Sequence, residues 1–306
     1  MRTVTKTGLD AVVAVTDLLQ QIHRSHPHGG LYQAAELQFW WSRPRRTDDL
    51  AQLFWVDDDE RPIAAAVVVD FGDSSSLLYD EVTLCPFVLA GSSADHVAAV
   101  LDAGLAHVAS LGFEAVELEV AHDDTVLRAA AEQRGFEVQV PEMLVECWLQ
   151  AGEHAPINPL PEGYRLASRA ELGDRPHHMN RTPDEDIEAR LSQLSLYDPR
   201  HDLVVLTSDD TPAANGMFWF DPVTRTGTVE PMRTGDDHQN RGLGRHVLTS
   251  GVDLLIRAGA ERVSIGYAPD NPGAGHLYRS VGFQPVGGSA LWQGPTRSAR
   301  VVSRSS

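Results

Sequence analysis

The stretch Gln239-Asn240-Arg241-Gly242-Leu243-Gly244-Arg245 decides how this chain is read, because a long helical pattern opens directly behind it. A Gly-rich turn at a helix start aims backbone N–H groups at one point, and the helix dipole adds positive potential there. That geometry suits a phosphate or pyrophosphate. Gly242 and Gly244 let the backbone approach an anion with no Cβ in the way. Arg241 and Arg245 add guanidinium groups capable of charge-assisted hydrogen bonds. An ordinary helix-capping turn can have the same composition, so the neighbours of the turn carry the argument.

Working outward, a strand-like run at 203–206 is followed by two more at 214–220 and 226–234, just before the Gly turn. The helix is expected to end near Ala258, with Gly259 as its stop. A strand at 262–267, a Pro-Asp-Asn-Pro turn, a short helix to about Val281 and Gly282-Phe283 complete the series. The first half runs the same way. Strands are expected at 54–56, 64–71 and 77–85, then a helix over 93–110 stopped by Gly112. A strand at 115–120, a helix at 124–134 and Gly135-Phe136 follow. Gly112 and Gly135 recur at one common offset as Gly259 and Gly282, so the chain reads as a tandem repeat. The expected domains are 1–150 and 151–306, joined by a Gly/Pro-containing stretch near 151–160. The polar segment 174–198 is expected to form helices flanking a substrate cleft. The Ser/Arg-rich tail from about Gln293 is expected to fray.

The second half resembles the GNAT-type N-acetyltransferases. Their acyl-CoA signature, Gln/Arg-x-x-Gly-x-Gly/Ala, is met by Gln239 to Gly244. A second signature, an Asn followed by a short Tyr-bearing helix and Gly-Phe, is met by Asn271, Tyr278 and Gly282-Phe283. The resemblance covers roughly 160–292, and the doubled chain is similar to tandem members of the superfamily, of which mycothiol synthase is one kind. It implies an α/β (α+β) architecture of two tandem folds, each a mixed, mostly antiparallel sheet flanked by helices. It implies that backbone groups of Gln239, Asn240, Arg241, Gly242, Leu243, Gly244 and Arg245 hold the CoA pyrophosphate. Met232 and Thr234 would meet the pantetheine arm, and Asn271 and Tyr278 the same donor. Tyr278 would be the general acid that protonates the leaving thiolate. Glu230 is the candidate base: on a regular strand it shares a face with Met232 and Thr234. Asp236, Asp237 and His238 are read as loop-shaping.

The first half departs from this pattern. The common offset carries Gln239, Gly242, Gly244 and Tyr278 onto Ser92, Asp95, Val97 and Ala131. Glycines and phenol are absent, and Asp95 puts negative charge at a helix start, which favours the helix dipole and repels a pyrophosphate. The first domain is therefore expected to be a degenerate repeat without acyl-CoA competence.

The chain of 306 residues is 42% hydrophobic and carries a formal charge of -18, which disfavours nucleic acid and suits small cationic partners. No long apolar run or signal-peptide order is present, so the expectation is a cytoplasmic protein with no membrane partner, monomeric or homodimeric. Cys85 and Cys147 are too few for a disulfide framework or a Cys-rich metal site. His23, His26 and His28, and the pair His177-His178, lack metal-motif spacing, so no metal is expected. The run Phe39-Trp40-Trp41 is expected to pack a helix on a sheet. The functional expectation is direct acetyl transfer from acetyl-CoA to a small-molecule primary amine. Mycothiol synthase is the narrower alternative. A noncatalytic acyl-CoA-binding or regulatory module is the alternative from another class. A dinucleotide site is disfavoured, since Val247 stands where the third glycine belongs.

Overall fold

The computed structural model describes residues 2–26, 28–71, 82–182 and 184–296. The first half contains β1 (Arg2–Lys6), α1 (Gly8–Ser25), α2 (Ala34–Trp41), β2 (Gln52–Val56), β3 (Pro62–Asp70), β4 (Val82–Val88), α3 (Ala94–Ser110), β5 (Ala115–Ala121) and α4 (Thr125–Glu132). The long strand β6 (Glu137–Gln150) leads out of it. Then come β7 (Tyr164–Ser168), α5 (Arg169–Leu172), α6 (Ile187–Leu191), β8 (Asp202–Thr207), β9 (Pro212–Asp221) and β10 (Thr226–Thr234). The chain continues through α7 (Leu243–Ala258), β11 (Arg262–Tyr267), α8 (Pro272–Val281) and β12 (Gln284–Pro295). No helix among the described residues is long and apolar enough to cross a membrane.

Two compact units result, and they do not follow a single cut at residue 150. One unit holds Met1–Leu31, Pro44–Met143 and the chain from Gly288 onward; the other holds Tyr32–Arg43 and Leu144–Gly287. In the first unit the sheet runs β1-β2-β3-β4-β5-β12. Its outer strand comes from the far end of the chain: Ser289 to Pro295 pair antiparallel with Ala121 to Ala115. In the second unit the sheet runs β6-β11-β10-β9-β8-β7. Here Val145 to Gln150, from the first half, pair antiparallel with Tyr267 to Arg262. Each repeat thus sends the strand after its last helix to the other unit. The reason is visible in the cores. Ala290 and Trp292 join Val116, Leu118, Val120 and Phe136 in one apolar cluster, while Cys147 and Leu149 join Val263, Ile265 and Phe283 in the other. The tail expected to fray from Gln293 is therefore strand up to Pro295, and 297–306 lie outside the described residues.

The helices follow from their sequences. α1, which the sequence reading did not foresee, buries Ala11, Ala14, Val15, Leu18, Leu19 and Ile22, one stripe at helical spacing. α2 carries the aromatic run and contacts β9, β10 and α6. α3 and α7 each place a glycine against the sheet. A Cβ on Gly104 would meet Leu84 at 2.9 Å, and one on Gly251 would meet Phe218 at 2.2 Å. β4 begins at Val82, so the expected part at 77–81 lies outside the described residues. Among the described residues, the segment 174–198 forms the short α6, which buries Ile187 and Leu191, and otherwise turns and irregular backbone.

Candidate active site

β10 pairs parallel with β11 only over Thr226–Thr228, so the two strands part beyond that point. Against β9, the register moves from Val229↔Phe218 to Met232↔Gly216, one extra residue on β10. This is a β-bulge, and it re-aims side chains. Directly paired residues point to one face, so Val229, Met232 and Thr234 share the face that meets α7. Glu230 and Pro231 fall inside the bulge, between the paired residues, so plain alternation does not set their direction.

Below the bulge a cavity of about 520 Å³ opens between β10, α7 and α8. Met232, Thr234, Gln239, Asn240, Gly242, Leu243, Gly244, Arg245, Asn271 and Tyr278 all line it. Arg241 and Glu230 do not. Gly242 stands at the N-cap of α7 with φ 78, and no side chain caps the helix among the described residues. Asn240 is also left-handed at φ 59. A Cβ on Gly244 would lie 2.9 Å from Thr234 Oγ1, so only glycine leaves this floor open. An uncapped helix start over a glycine floor fits a pyrophosphate, whose oxygens would take the free N–H groups.

The two arginines are less available than their positions imply. Arg245 donates to the Ser280 carbonyl at 2.7 Å and its hydroxyl at 2.6 Å, tying α7 to α8. Arg241 donates to the Asp237 carbonyl at 3.0 Å. Asn271 caps α8 by accepting from the Ala274 N–H at 3.1 Å. Several wall residues were not foreseen: Arg233 and, on one face of α8, Ala274 and Leu277 beside Tyr278. Their spacing at i, i+3 and i+4 was a usable signal. His238 also lines the wall and sits 3.0 Å from the Tyr164 hydroxyl, while Asp236 accepts from Gln239 at 3.1 Å.

Tyr278 is buried, its ring edge-on to Tyr267 at 5.9 Å. Its hydroxyl forms no hydrogen bond among the described residues. Burial first, then the charges of Glu230 and Cys147, raise its pKa, so it remains a protonated donor at neutral pH. The Glu230 carboxylate is partly buried and has no ionic partner among the described residues. Burial pushes it up to about 7, a value suited to a general base near neutrality. Cys147, which enters this unit on β6, shares the apolar cluster of Tyr278. Burial pushes its thiol up to about 11, which keeps it neutral and a poor nucleophile.

A second polar cluster lies in the same unit. Asp202, at the start of β8, accepts from His177 Nε2 at 2.8 Å and from the Tyr197 hydroxyl at 3.0 Å, with His178 Nε2 at 3.2 Å. Burial opposes its charge, yet the contacts with His177 and His178 hold it below the usual carboxylate range. These are the three groups among the described residues close enough to hold a metal. The Met179 N–H, however, donates to His177 Nδ1 at 3.2 Å. That assigns the proton to Nε2, already spent on Asp202, whereas a metal ligand needs that lone pair and an acceptor behind the other nitrogen. The cluster is built as a hydrogen-bonded carboxylate.

Residues 161–283 match the acetyltransferase (GNAT) family. A mycothiol acetyltransferase from Kocuria rhizophila is 25% identical over 247 residues, spanning 74% of this chain and 79% of that protein. Among solved structures, a tandem GNAT protein from the clavulanic acid biosynthesis pathway superposes with a TM-score of 0.69 at 12% identity, covering 97% of this chain and 99% of that one. A GCN5-related N-acetyltransferase from Sphaerobacter thermophilus gives 0.58 at 16% identity, over 96% of both chains.

Proposed function

We propose, from the match of residues 161–283 to the acetyltransferase (GNAT) family, that the second unit transfers an acetyl group from acetyl-CoA to a small-molecule primary amine by direct attack. The observation that carries this reading is the pairing of an uncapped, glycine-floored helix start with Glu230 and Tyr278 around one parting of strands. Glu230 takes a proton from the ammonium acceptor and frees its lone pair. The nitrogen attacks the thioester carbon, a C–N bond forms, and the tetrahedral adduct collapses with cleavage of the C–S bond. Tyr278 donates to the departing sulfur and is reprotonated by the second proton that the nitrogen sheds as the amide forms, and Glu230 returns its proton to solvent. No covalent enzyme intermediate is needed.

The first unit is read as a partner without an acyl-CoA site. Its α3 is already capped, since Ser93 accepts from the His96 N–H, and Asp95 occupies the first turn. Titration calorimetry with acetyl-CoA is expected to show one site per chain; two sites would overturn this assignment.

A narrower reading is favoured by the mycothiol acetyltransferase relative: an acceptor whose amine sits on a cysteinyl sugar. Mass spectrometry of products from acetyl-CoA and a panel of amines, cysteinyl sugars included, tests both. Acetylation of simple amines but not of the sugar removes the narrower reading. The Tyr278→Phe protein separates an enzyme from a binding module. Turnover is expected to fall by about tenfold or more with acetyl-CoA affinity kept. A parent that binds acetyl-CoA tightly and acetylates nothing would be a binding module.

A further inference from the structure

We propose that Trp219 is a positioning residue for Glu230: its indole N–H fixes the bulged segment of β10 that carries the carboxylate. The inference rests on reading Glu230 as the base. In a regular ladder each strand carbonyl is satisfied by its neighbour. Here the register is broken between Val229 and Met232, so Glu230 and Pro231 fall outside the paired residues. The Glu230 carbonyl instead accepts from Trp219 Nε1 at 2.7 Å. Tryptophan can only donate there, and its length spans the gap that the bulge creates.

Trp219 is itself held. It is 1% exposed, with the Tyr197 ring at 5.9 Å and the Phe39 ring of α2 at 6.4 Å. Tyr197 is in turn anchored by its hydroxyl to Asp202. Through Tyr197, the buried His177, His178 and Asp202 cluster thus steadies the indole that holds Glu230.

The first repeat supplies an internal control. The parallel rung Thr83↔Glu117 matches Thr228↔Ser264, which sets Cys85-Pro86 on Glu230-Pro231. The antiparallel partner of Thr83 is Val69, and that of Thr228 is Trp219. β4 pairs with β3 without a break from Val82 to Val88. The repeat without the tryptophan has neither the bulge nor the carboxylate.

The test uses Trp219→Phe in the full chain, and an isosteric benzothienylalanine at 219 should the phenylalanine leave too large a void. Both delete the N–H. Turnover is expected to fall about tenfold with the KM for acetyl-CoA unchanged. Added to Glu230→Gln, either change should cost nothing further. Carbon-13 NMR of the Glu230 carboxyl should show its titration moving from about 7 toward the ordinary carboxylate range. A multiplicative loss in the double variant, or an unmoved titration, overturns the proposal. Should Glu230→Gln alone keep parental turnover, the base reading has failed, and the NMR titration alone decides whether Trp219 positions the carboxylate.

Discussion

The two repeats start alike and diverge at one strand and one helix start. Thr83-Leu84-Cys85-Pro86-Phe87 and Thr228-Val229-Glu230-Pro231-Met232 occupy matching positions. β4 stays in register, with Cys85 and Phe87 buried, while β10 bulges and leaves its carboxylate unpaired. Behind the first strand α3 starts with a serine cap; behind the second α7 starts on a bare glycine. The parting of strands is common to both, since β4 and β5 share a single parallel rung. What differs is whether the opening is filled and whether the helix start is satisfied internally. On the proposed reading, a binding site on this scaffold is made by withholding contacts that the other repeat completes.

The comparison can be broken most severely by separating the repeats. Residues 1–150 and 151–306 expressed apart are expected to be insoluble or unfolded, because each loses the outer strand that covers its core. Circular dichroism and gel filtration check this, and co-expression should restore some folded material. Next, Gly244→Val installs the residue found at Val97. Its Cβ meets Thr234 Oγ1, and acetyl-CoA affinity should fall by about a hundredfold, near 2.7 kcal/mol. Calorimetry reads it, and near-parental affinity would remove the pyrophosphate assignment.

Glu230→Gln should lower turnover by about a hundredfold. In the parent, turnover should rise as pH passes through about 7 and then level off, because the base works deprotonated. The same group predicts a stability trend. Its folded value lies above the ordinary 4.5, so the folded state holds the proton longer, and stability falls as pH rises from about 4.5 to about 7. Glu230→Gln should flatten that slope in a melting series. The smallest effect is expected from Cys85→Ala, the matching position in the other repeat. Turnover should stay within about twofold while stability drops by ~1 kcal/mol. A large kinetic effect would show that the first repeat takes part in the chemistry.

Much of this was legible locally. The bounds of β10 and β11 and the end of α7 fall where the strand-like runs and Gly259 place them, because each signal lies in or beside the element it describes. Much of the cavity wall was legible for the same reason, being made of the end of one strand, one turn and residues of two helices. The exchange of β6 and β12 was not. Alternation marks a strand but not its partner, and Ser289 to Pro295 lie beside a Ser/Arg-rich tail that masks their apolar positions. The bulge at Glu230-Pro231 was not legible, because Pro231 signals a lost donor, not an extra residue. The contacts that Arg241 and Arg245 make, to the Asp237 and Ser280 carbonyls, were not legible, because long side chains reach acceptors that sequence spacing does not mark. His177, His178 and Asp202 meet only through tertiary structure.

The exchanged strands also set a timetable. A ribosome delivers this chain from its N-terminus, and domains generally fold as they emerge. The sheet of the first unit needs Ser289 to Pro295 along β5, so the repeat made first cannot close until Pro295 has been made. The second repeat meets its borrowed strand, Val145 to Gln150, ahead of its own elements. Synthesis order and completion order are therefore reversed. A frameshift or stop late in the message should unfold the half of the protein that was translated earliest.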